Sequence, residues 1–483
     1  MKFYMKLTMK YQHILSKWLL VELHPGANFI LVLLCLSFAG CGGQKETGAV
    51  PPNIIFILAD DLGVPQVGCY GNDYYRTPFI DSLARSGMRF TNAYSASAVC
   101  SPTRASIMTG KYPARLHITD FIPRVDKQTH DQLILPAWQK FLPLNETTIA
   151  EALKGLGYST AHFGKWHLSR KKPPPVSLEH NPDKQGFDEH FITYKPSDYM
   201  PLGSWQTEGS DAHSVDTITC RAIDFIRRHR EDPFFLMVSH NSIHRPLLED
   251  QKLIAKYSAM AGAEKEENNP VIAAMMETLD ASIGRIIREV TQTGISERTL
   301  IMFFSDNGGL RKDAKQTPFR EGKGWLYEGG IRVPLIVSWP GRVQSGTVED
   351  CMVSSIDLFP TFMEVAGDTG SWEDKVDGIS ILPVLLETGT IDRQTLYWHY
   401  PHYHRGSGMR PGSAIREGSY KLVRWYEPGM MEGSVKAELY DLKTDPGEQY
   451  DLADTLAQRT DLLLNKLDQW IVEVGAQLPI PNQ

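Results

Sequence analysis

Four polar segments of the chain carry side chains that could bind a cation or transfer a proton. They are Asp60-Asp61, the Gly-Lys-Trp-His stretch at 164–167, the histidine-containing stretch at 239–246, and Asp306-Asn307. Carboxylate and amide oxygens are hard ligands, which suit Ca²⁺ or Mg²⁺ better than Zn²⁺. Taken alone, the paired aspartates fit a loop that caps a helix or faces water, and the Asn-Gly at 307–308 fits a plain turn. Because the two pairs follow two different predicted strands, we favour a metal site.

Positive and proton-donating side chains occur close to the same segments. They are Lys165, His167, His244 and Lys323, the last within the glycine-rich stretch 320–332. Each of these taken singly fits a solvated lysine or a hydrogen-bonded structural histidine. Several cationic side chains beside a metal ion, however, describe a pocket for a tetrahedral oxyanion such as phosphate or sulfate.

The predicted strands explain why these segments should meet. Each polar segment directly follows an apolar run whose length suits a strand buried on both faces. The runs are 54–58, 159–163, 234–238 and 300–304. Helical patterns alternate with them, including apolar residues at three- and four-residue steps over 272–290. This alternation predicts an α/β fold with a large, mostly parallel sheet between helices, and the strands' carboxyl ends then share one ligand-binding edge.

The pattern of predicted secondary structure changes after about residue 377. Short strand-like pieces at 395–399, 413–423 and 438–442 are separated by glycine, proline and aspartate turns, and an amphipathic helix follows them. We therefore predict a catalytic α/β domain over 52–376. A smaller C-terminal subdomain over 377–483 should contain an antiparallel sheet with a helix packed on it.

Composition excludes several classes of protein. The 483 residues are 42% hydrophobic and 22% charged, which is ordinary for a globular protein and excludes a disordered chain, a collagen-like repeat and a polytopic membrane protein. The net charge of -7 lacks the basic excess that is typical of nucleic-acid binders, so we expect no nucleic-acid partner.

The N-terminal segment has the pattern of an export signal. Lysines precede an apolar run at 29–38 that is too short for a stable membrane anchor. Small residues just before Cys41 resemble a bacterial lipoprotein cleavage box. We predict a signal peptide over 1–41, lipidation of Cys41 and a tether over 42–51, with an ordinary signal cut near Ala39 as the alternative. In both cases the protein is exported, to the periplasm or the cell surface, and a lipid would be its membrane anchor.

The residues around Cys100 resemble the signature of type I sulfatases. Cys100 to Arg104 fit the family's Cys-x-Pro-x-Arg motif, with Thr103 where many members carry serine, and the Thr-Gly-Lys-Tyr-Pro stretch at 109–113 also resembles the family. A lone Cys-x-Pro-x-Arg is a weak signal. Here it stands in family order with the Asp-Asp, Gly-Lys-Trp-His, Asp-Asn-Gly and Gly-Lys-Gly elements, over about 53–341, which is specific. The resemblance implies an alkaline-phosphatase-like fold.

The resemblance also implies that a maturation enzyme oxidises Cys100 to Cα-formylglycine. A thiolate would need activation before it could act. An aldehyde instead hydrates to a geminal diol, whose first hydroxyl attacks sulfur and whose second then expels sulfate and regenerates the aldehyde. Pro102 would begin a helix whose N-terminus favours an anion. The alternative reading of Cys100 is a buried structural thiol.

The family's metal and catalytic residues carry over position by position. The implied ligands of Ca²⁺, with Mg²⁺ as the alternative, are Asp60, Asp61, Asp306, Asn307 and the formylglycine at position 100. Arg104 would steady the diol and the carboxylates, while Lys165 and Lys323 would hold sulfate oxygens. His167 is the candidate base for the second hydroxyl. His244 is the candidate that contacts the bridging oxygen and protonates the leaving alcohol, with Lys323 as a possible helper.

Sugar recognition is the expected task of the less regular regions. The aromatic and polar stretch 397–405 could pack against a sugar ring and hydrogen-bond to it, although strand residues packed between domains would look similar. The candidate substrate residues are His117, Trp205, His402 and Arg405. We expect a formylglycine-dependent sulfatase that acts on a sulfated carbohydrate of host or algal origin. The alternatives are a phosphodiesterase or phosphonate hydrolase of the same superfamily, and a non-catalytic glycan-binding lipoprotein.

Overall fold

A large sheet with helices on both faces carries the four polar segments that follow strands β1, β5, β7 and β8, as defined below. The computed structural model describes residues 50–122, 132–169, 179–194, 211, 213–368, 370–427 and 436–482. The predicted signal peptide, Cys41 and nearly all of the predicted tether lie outside these described residues.

The strands and helices are numbered here in chain order within the described ranges. The strands are β1 Asn53–Ala59, β2 Met88–Phe90, β3 Ala93–Tyr94, β4 Leu133–Ile134, β5 Ser159–Gly164, β6 Glu189–Ile192, β7 Phe234–Ser239, β8 Thr299–Ser305, β9 Leu335–Ser338, β10 Thr347–Glu349, β11 Val353–Ser354, β12 Thr395–Tyr400, β13 Gly412–Glu417, β14 Tyr420–Trp425, β15 Lys436–Asp441 and β16 Ile480–Pro481. The helices are α1 Pro78–Arg85, α2 Cys100–Thr109, α3 Pro113–Leu116, α4 Ile149–Gly155, α5 Val215–Arg228, α6 Gln251–Ser258, α7 Pro270–Gln292, α8 Glu328–Ile331, α9 Leu358–Val365, α10 Leu382–Leu385 and α11 Ala457–Glu473.

The main sheet has eight strands in the order β10-β2-β9-β8-β1-β7-β5-β6. Its centre is parallel: β1 pairs with β7 on one side and with β8 on the other, and β5 continues the parallel arrangement beyond β7. Strand β9 runs antiparallel to both β8 and β2. The prediction of a large, mostly parallel sheet is therefore confirmed.

The core explains why the central strands are apolar along their whole length. Alternate side chains of β1 enter two separate apolar layers, with Phe56 on one face and Ile57 on the other. Phe56 packs edge-on against Phe362 of α9, with ring centroids 5.7 Å apart. On the opposite face, Met276 of α7 lies in the layer that contains Ile57. A strand covered by helices on both sides cannot alternate between apolar and polar residues, so it appears as a continuous apolar run.

The C-terminal region forms a second, antiparallel sheet in the order β12-β13-β14-β15. The single extended piece predicted over 413–423 is wrong, because this stretch is a hairpin of β13 and β14. Gly418 makes the turn at a φ of +58°, a value that glycine adopts without strain. Helix α11 covers one face through Leu463, Leu467 and Trp470, in the cluster that holds Ile415 of β13. The expected sheet with its C-terminal helix is confirmed.

None of the helices in the described ranges combines the length and apolar character that a bilayer crossing requires. The predicted boundary between two domains near residue 377 stays a prediction.

Candidate active site

Two adjacent strands deliver the four predicted metal ligands. Asp60 and Asp61 follow β1, Asp306 and Asn307 follow β8, and the register places Ala59 opposite Ser305, so both pairs leave the sheet side by side. All four side chains are buried. The backbone N–H of Asp61 donates to Asp306 Oδ1 over 3.2 Å, and Asn307 Nδ2 donates to Asp61 Oδ1 over 2.9 Å. The structure therefore brings these four side chains together, and their role as metal ligands stays a prediction.

Cys100 is the first residue of α2 and points at the aspartates. Its Sγ lies 3.5 Å from Asp60 Oδ1 and 3.8 Å from Asp61 Oδ1. Burial, reinforced by the charge of Asp306, raises the pKa of the Cys100 thiol well above its usual range. These surroundings oppose a thiolate, while the helix N-terminus at the same place favours an anionic ligand.

Arg104 joins three elements of the site. Its Nε and Nη2 contact Asp306 Oδ2 at 2.8 and 2.7 Å, and its Nη1 donates to the backbone oxygen of Lys165 and to Ser239 Oγ at 2.7 and 2.6 Å. Ser239 in turn donates to the same Lys165 oxygen over 2.8 Å. The guanidinium is buried, so it fixes Asp306 in one orientation relative to the ends of β5 and β7. Ser239 was not among the predicted site residues.

Each lysine pairs with a different aspartate. Lys165 Nζ lies 2.6 Å from Asp60 Oδ2, and Lys323 Nζ lies 2.7 Å from Asp61 Oδ2. Burial lowers the pKa of Lys323, but Asp61 and its neighbours more than offset this effect, so the net pKa is raised and the ammonium is kept. The same balance holds for Lys165 beside Asp60. Both lysines can therefore offer positive charge to an anion at neutral pH.

The two histidines follow different strands of the main sheet: His167 lies three residues after β5, and His244 lies five residues after β7. His244 Nε2 lies 3.8 Å from Asp61 Oδ2, and its Nδ1 is 2.6 Å from the backbone oxygen of Arg245. Burial and then Lys323 lower the pKa of His244, while burial and then Lys165 lower that of His167. Both shifts disfavour the protonated form of these rings. His244 also lines the open cavity described below.

The donor set fits a hard divalent cation. One oxygen each from Asp60, Asp61 and Asp306 lies with Cys100 Sγ in a group whose members are all within 4.8 Å of one another. Asn307 Oδ1 is buried, and no donor within the described residues reaches it. A buried amide oxygen without a partner is costly. Because oxygens of this kind are what Ca²⁺ and Mg²⁺ bind, the site has the composition that such an ion needs.

Electrostatics supports the same conclusion. Three carboxylates face three cationic side chains, namely Arg104, Lys165 and Lys323. Burial, together with the charges of Asp306 and Asp61, raises the pKa of Asp60 to about 7 against the pull of Lys165. Burial of Asp61 is instead outweighed by Lys323, which lowers its pKa, so it is Asp60 whose ionisation calls for additional positive charge. A divalent cation would provide it and would leave the centre with a net charge of about +2, which favours an anionic substrate.

A cavity of about 210 Å³ adjoins this centre. Asp61, His244 and Lys323 form its inner wall, while Trp325 and His404 form other parts of its lining. Sequence reasoning missed both Trp325 and His404 as site residues. The signal for Trp325 was its position two residues after Lys323, whereas nothing local in the sequence distinguishes His404 from its neighbour His402.

The predicted substrate residues do not gather in this cavity. His402 is fully buried, with Nε2 2.7 Å from Thr119 Oγ1, and it is absent from the cavity lining. His117 ends α3 with a φ of +53° and is also absent from the lining. Arg405 is exposed on the surface and does not contribute either. Trp205 lies outside the described residues. The substrate role of all four stays a prediction.

Comparison with known proteins decides the family. The sulfatase family model matches residues 52–368. The chain belongs to the sulfatase family. A second model, the C-terminal region of N-sulphoglucosamine sulphohydrolase, matches residues 321–476 of this sulfatase.

Relatives along almost the whole chain support the assignment. The sulfatase is 30% identical to human arylsulfatase A over 469 residues, with 87% of each chain covered. It is 29% identical to rat N-acetylgalactosamine-6-sulfatase, covering 94% of this chain and 91% of the relative. The solved structure of Ps i-CgsB in complex with k-i-k-neocarrahexaose superposes with a TM-score of 0.72 at 27% identity, covering 87% and 92% of the two chains. The sulfatase is thus a sulfuric ester hydrolase with an alkaline-phosphatase-like fold.

Proposed function

We propose that this sulfatase removes sulfate from a carbohydrate through a formylglycine formed at position 100. The observation that carries the proposal is the position of Cys100, at a helix N-terminus and within 3.8 Å of two buried aspartates. The names of similar proteins support the carbohydrate: one relative is an N-acetylgalactosamine-6-sulfatase, and one similar structure holds a neocarrahexaose.

The side chains around position 100 have separable roles in this proposal. Lys165 and Lys323 hold the sulfate oxygens, since both stay protonated and each pairs with a different aspartate. Arg104 keeps Asp306 in place. Asp60, Asp61, Asp306 and Asn307 would hold Ca²⁺ or Mg²⁺. A bound ion would supply positive charge that acidifies the attacking hydroxyl and offsets charge on the sulfate.

We assign the two proton-transfer steps to the two histidines, His244 and His167. His244 lies at the boundary between the aspartates and the cavity, where the leaving alcohol would emerge, so we assign it the donation of a proton to that alcohol. Its ring must first take up a proton, which the negative charge of a bound sulfate ester would favour. His167 remains the base that deprotonates the second hydroxyl during sulfate release. His244→Ala should therefore slow a sugar sulfate much more than an aryl sulfate, whose phenolate leaves without help. Equal losses on both substrates would contradict this division.

The covalent mechanism is tested by removing the nucleophile. Cys100→Ala, produced together with a formylglycine-generating enzyme, should show no detectable desulfation of regiochemically defined saccharides and an unchanged melting temperature. The matched control is Cys220→Ala, because Cys220 is an exposed cysteine on α5, a helix that supplies none of the proposed site residues. Peptide mass spectrometry of the wild type should find an aldehyde at position 100. Undiminished activity of Cys100→Ala, or an ordinary thiol in fully active enzyme, would overturn the mechanism.

The leaving group is tested separately from the nucleophile. Sulfate and phosphate esters of the same sugar should be assayed side by side, and the wild type should prefer the sulfate. A clear preference for phosphate or phosphonate esters would overturn the proposed reaction.

We also propose that the protein is exported and is anchored by lipid at Cys41. Incorporation of labelled fatty acid into the wild type, and its loss in Cys41→Ser, would support the anchor. Equal labelling of the two proteins would contradict it.

A further inference from the structure

The cavity beside the catalytic centre is small and opens to solvent. Its volume of about 210 Å³ lies below the range of about 300–1,000 Å³ typical of small-molecule pockets. It shares Asp61, His244 and Lys323 with the centre. Because Lys323 is assigned to the sulfate and His244 to the leaving alcohol, the sugar that carries the ester must enter this cavity.

One wall of the cavity is a fixed aromatic surface. The ring of Trp325 is stacked on Tyr327 with centroids 5.6 Å apart and an angle of 23°, and it meets Trp425 edge-on at 6.1 Å. His404 forms another wall, where its Nδ1 lies 2.8 Å from Ser407 Oγ. Gly324 makes this approach possible, because a Cβ at its position would lie 2.2 Å from His404 Nδ1. An aromatic ring held in this way suits the apolar face of a sugar.

The outer end of the cavity is charged. Its five charged residues are Arg245, Arg311, Lys312, Asp313 and Glu321. Arg245 binds Asp313 through two hydrogen bonds of 2.9 and 2.6 Å, so this pair is self-contained. Arg311 uses only its Nε for Glu321, at 3.1 Å. Three cations thus face two carboxylates, which leaves one positive charge in excess.

The excess charge resides on Lys312. Its Nζ donates to the backbone oxygen of Gly406 over 2.5 Å, and no carboxylate of the described residues lies within ion-pair distance of it. A carbonyl oxygen satisfies one of the three ammonium hydrogens and none of the charge. An anionic group in the cavity could bind the remaining hydrogens of Lys312 together with the outward edge of Arg311.

We propose that this end of the cavity is a subsite for a second anionic group of the substrate. The sulfated ring lies against Trp325, and a further sulfate or a carboxylate, on that ring or on its neighbour, pairs with Lys312 and Arg311. The inference rests on the proposed function, since it takes the ester sulfate to lie between Lys165 and Lys323. It narrows the substrate class from sulfated sugars to sugars with at least two anionic groups.

The subsite is tested by kinetics on matched substrates. Three esters are needed: a monosulfated sugar, the same sugar with a second sulfate, and the same sugar joined to a uronate. The variants are Lys312→Gln and Lys312→Glu. Lys315→Gln is the control, because Lys315 lies three residues away, pairs with Glu266 and is absent from this cavity. For each combination of protein and ester, kcat and KM are measured at low and at high ionic strength.

The proposal expects the wild type to prefer one dianionic ester over the monosulfated one. Lys312→Gln should lower kcat/KM for that ester by roughly three- to tenfold more than for the monosulfated sugar, mainly through KM, as for loss of one charge-assisted hydrogen bond. Lys312→Glu should lower kcat/KM for the dianionic ester further. High ionic strength should reduce the difference between the wild type and the variants on that ester. Preference for the second sulfate or for the uronate identifies which anion the subsite takes.

Two results would contradict different parts of the proposal. If Lys312→Gln and Lys315→Gln change all substrates by the same factor, the subsite is wrong while the sulfatase reaction stands. If the wild type hydrolyses none of the three esters but hydrolyses a phosphate ester, the proposed function itself fails.

Discussion

Two buried clusters of charged residues in this protein look alike in composition and differ in how completely their members are partnered. The first, called here the catalytic cluster after its proposed function, consists of Asp60, Asp61, Asp306, Asn307, Arg104, Lys165 and Lys323. The second, called here the Lys421 cluster, consists of Glu328, Lys421 and Glu448, all with 0% exposure. Lys421 Nζ lies 3.0 Å from Glu328 Oε1 and 2.8 Å from Glu448 Oε1.

In the Lys421 cluster each carboxylate oxygen faces a donor or a cation, although Glu448 Oε1 meets Lys421 Nζ as an ion pair without hydrogen-bond geometry. Tyr94 donates its hydroxyl to Glu328 Oε2 over 2.8 Å, and the backbone N–H of Glu328 donates to Glu448 Oε2 over 2.6 Å. The catalytic cluster instead keeps a buried amide oxygen on Asn307 without a donor and opens into a cavity. Buried clusters of charged residues thus have two different roles in this protein. A self-satisfied cluster holds the fold together, whereas an incompletely satisfied cluster beside a cavity is prepared for a ligand.

The two clusters are linked through one loop. Lys421 lies on β14, while Glu328 begins α8, five residues after Lys323. The Lys421 cluster therefore ties the loop that carries a catalytic lysine to the C-terminal sheet. This gives the C-terminal sheet a part in placing the site, although none of its strands supplies a metal ligand.

The largest expected effect comes from removing a charge in the catalytic cluster. Asp61→Asn should lower kcat/KM by about three orders of magnitude or more, because the ion and Lys323 both depend on this carboxylate. It should also lower the free energy of unfolding of the metal-free protein, because Asp61 is the buried ion-pair partner of Lys323. Ca²⁺ or Mg²⁺ should raise the melting temperature of the wild type and not that of the variant.

The control for this experiment is Asp216→Asn on the surface, where Asp216 pairs with Arg285. It should retain activity and the metal-dependent shift. A metal-dependent shift of equal size in Asp61→Asn would show that the ion binds elsewhere.

The next largest effect is expected in the Lys421 cluster and concerns stability. Lys421→Met removes the cation that two buried carboxylates share, although Glu328 keeps Arg332 at 3.3 Å, and this should lower the free energy of unfolding by about 3 kcal/mol. The measurement is urea denaturation, with Lys466→Met as the exposed control, since Lys466 pairs with Glu417 at the surface. The control should lose no more than about 1 kcal/mol.

The comparison predicts that the fraction of Lys421→Met that remains folded keeps a kcat within a few-fold of the wild type. A loss of activity far larger than the loss of folded protein would mean that the Lys421 cluster acts in catalysis and not only in placing the loop.

The sequence predicted the parts of the fold whose residues carry a strong local pattern. Strand β1 is apolar throughout, and its end delivers Asp60 as expected. The edge strands β6 and β10 were missed, because they are only 4 and 3 residues long and are partly exposed, with polar residues on both sides of the chain. A short edge strand has no periodicity to recognise, and its pairing depends on which neighbours the rest of the fold supplies.

The same limit applies to the site. Motif order was sufficient to place Cys100 and its neighbours together, because each of these residues follows a recognisable strand or helix start. It could not choose between His402 and His404. That choice depends on how the loop between β12 and β13 packs against Gly324. These two regions lie far apart in the chain, so no local pattern predicts their contact.

The smallest expected effect separates the two clusters by pH. Burial, aided by Glu328, raises the pKa of Glu448 to about 7 against the pull of Lys421. A carboxyl whose pKa is higher in the folded than in the unfolded state stabilises the fold below its unfolded value of 4.5, and this contribution is lost as pH rises through 7. Glu448→Gln cannot ionise. Its stability relative to the wild type should therefore rise by about 1–3 kcal/mol between pH 4.5 and 7 and then level off.

The difference between the two proteins isolates Glu448 from the other titrating groups. Buried histidines such as His240, whose pKa burial lowers to about 4, make both proteins more stable as pH rises through the same window, so they cancel in the difference. Glu328 has its pKa lowered to about 2, chiefly by Lys421 against the effect of burial, and titrates below this window. Urea denaturation at half-unit pH steps would measure the slope. A flat difference would mean that Glu448 stays ionised as a full partner of Lys421, which would make this cluster a strong ion pair at every pH and widen its contrast with the catalytic carboxylates.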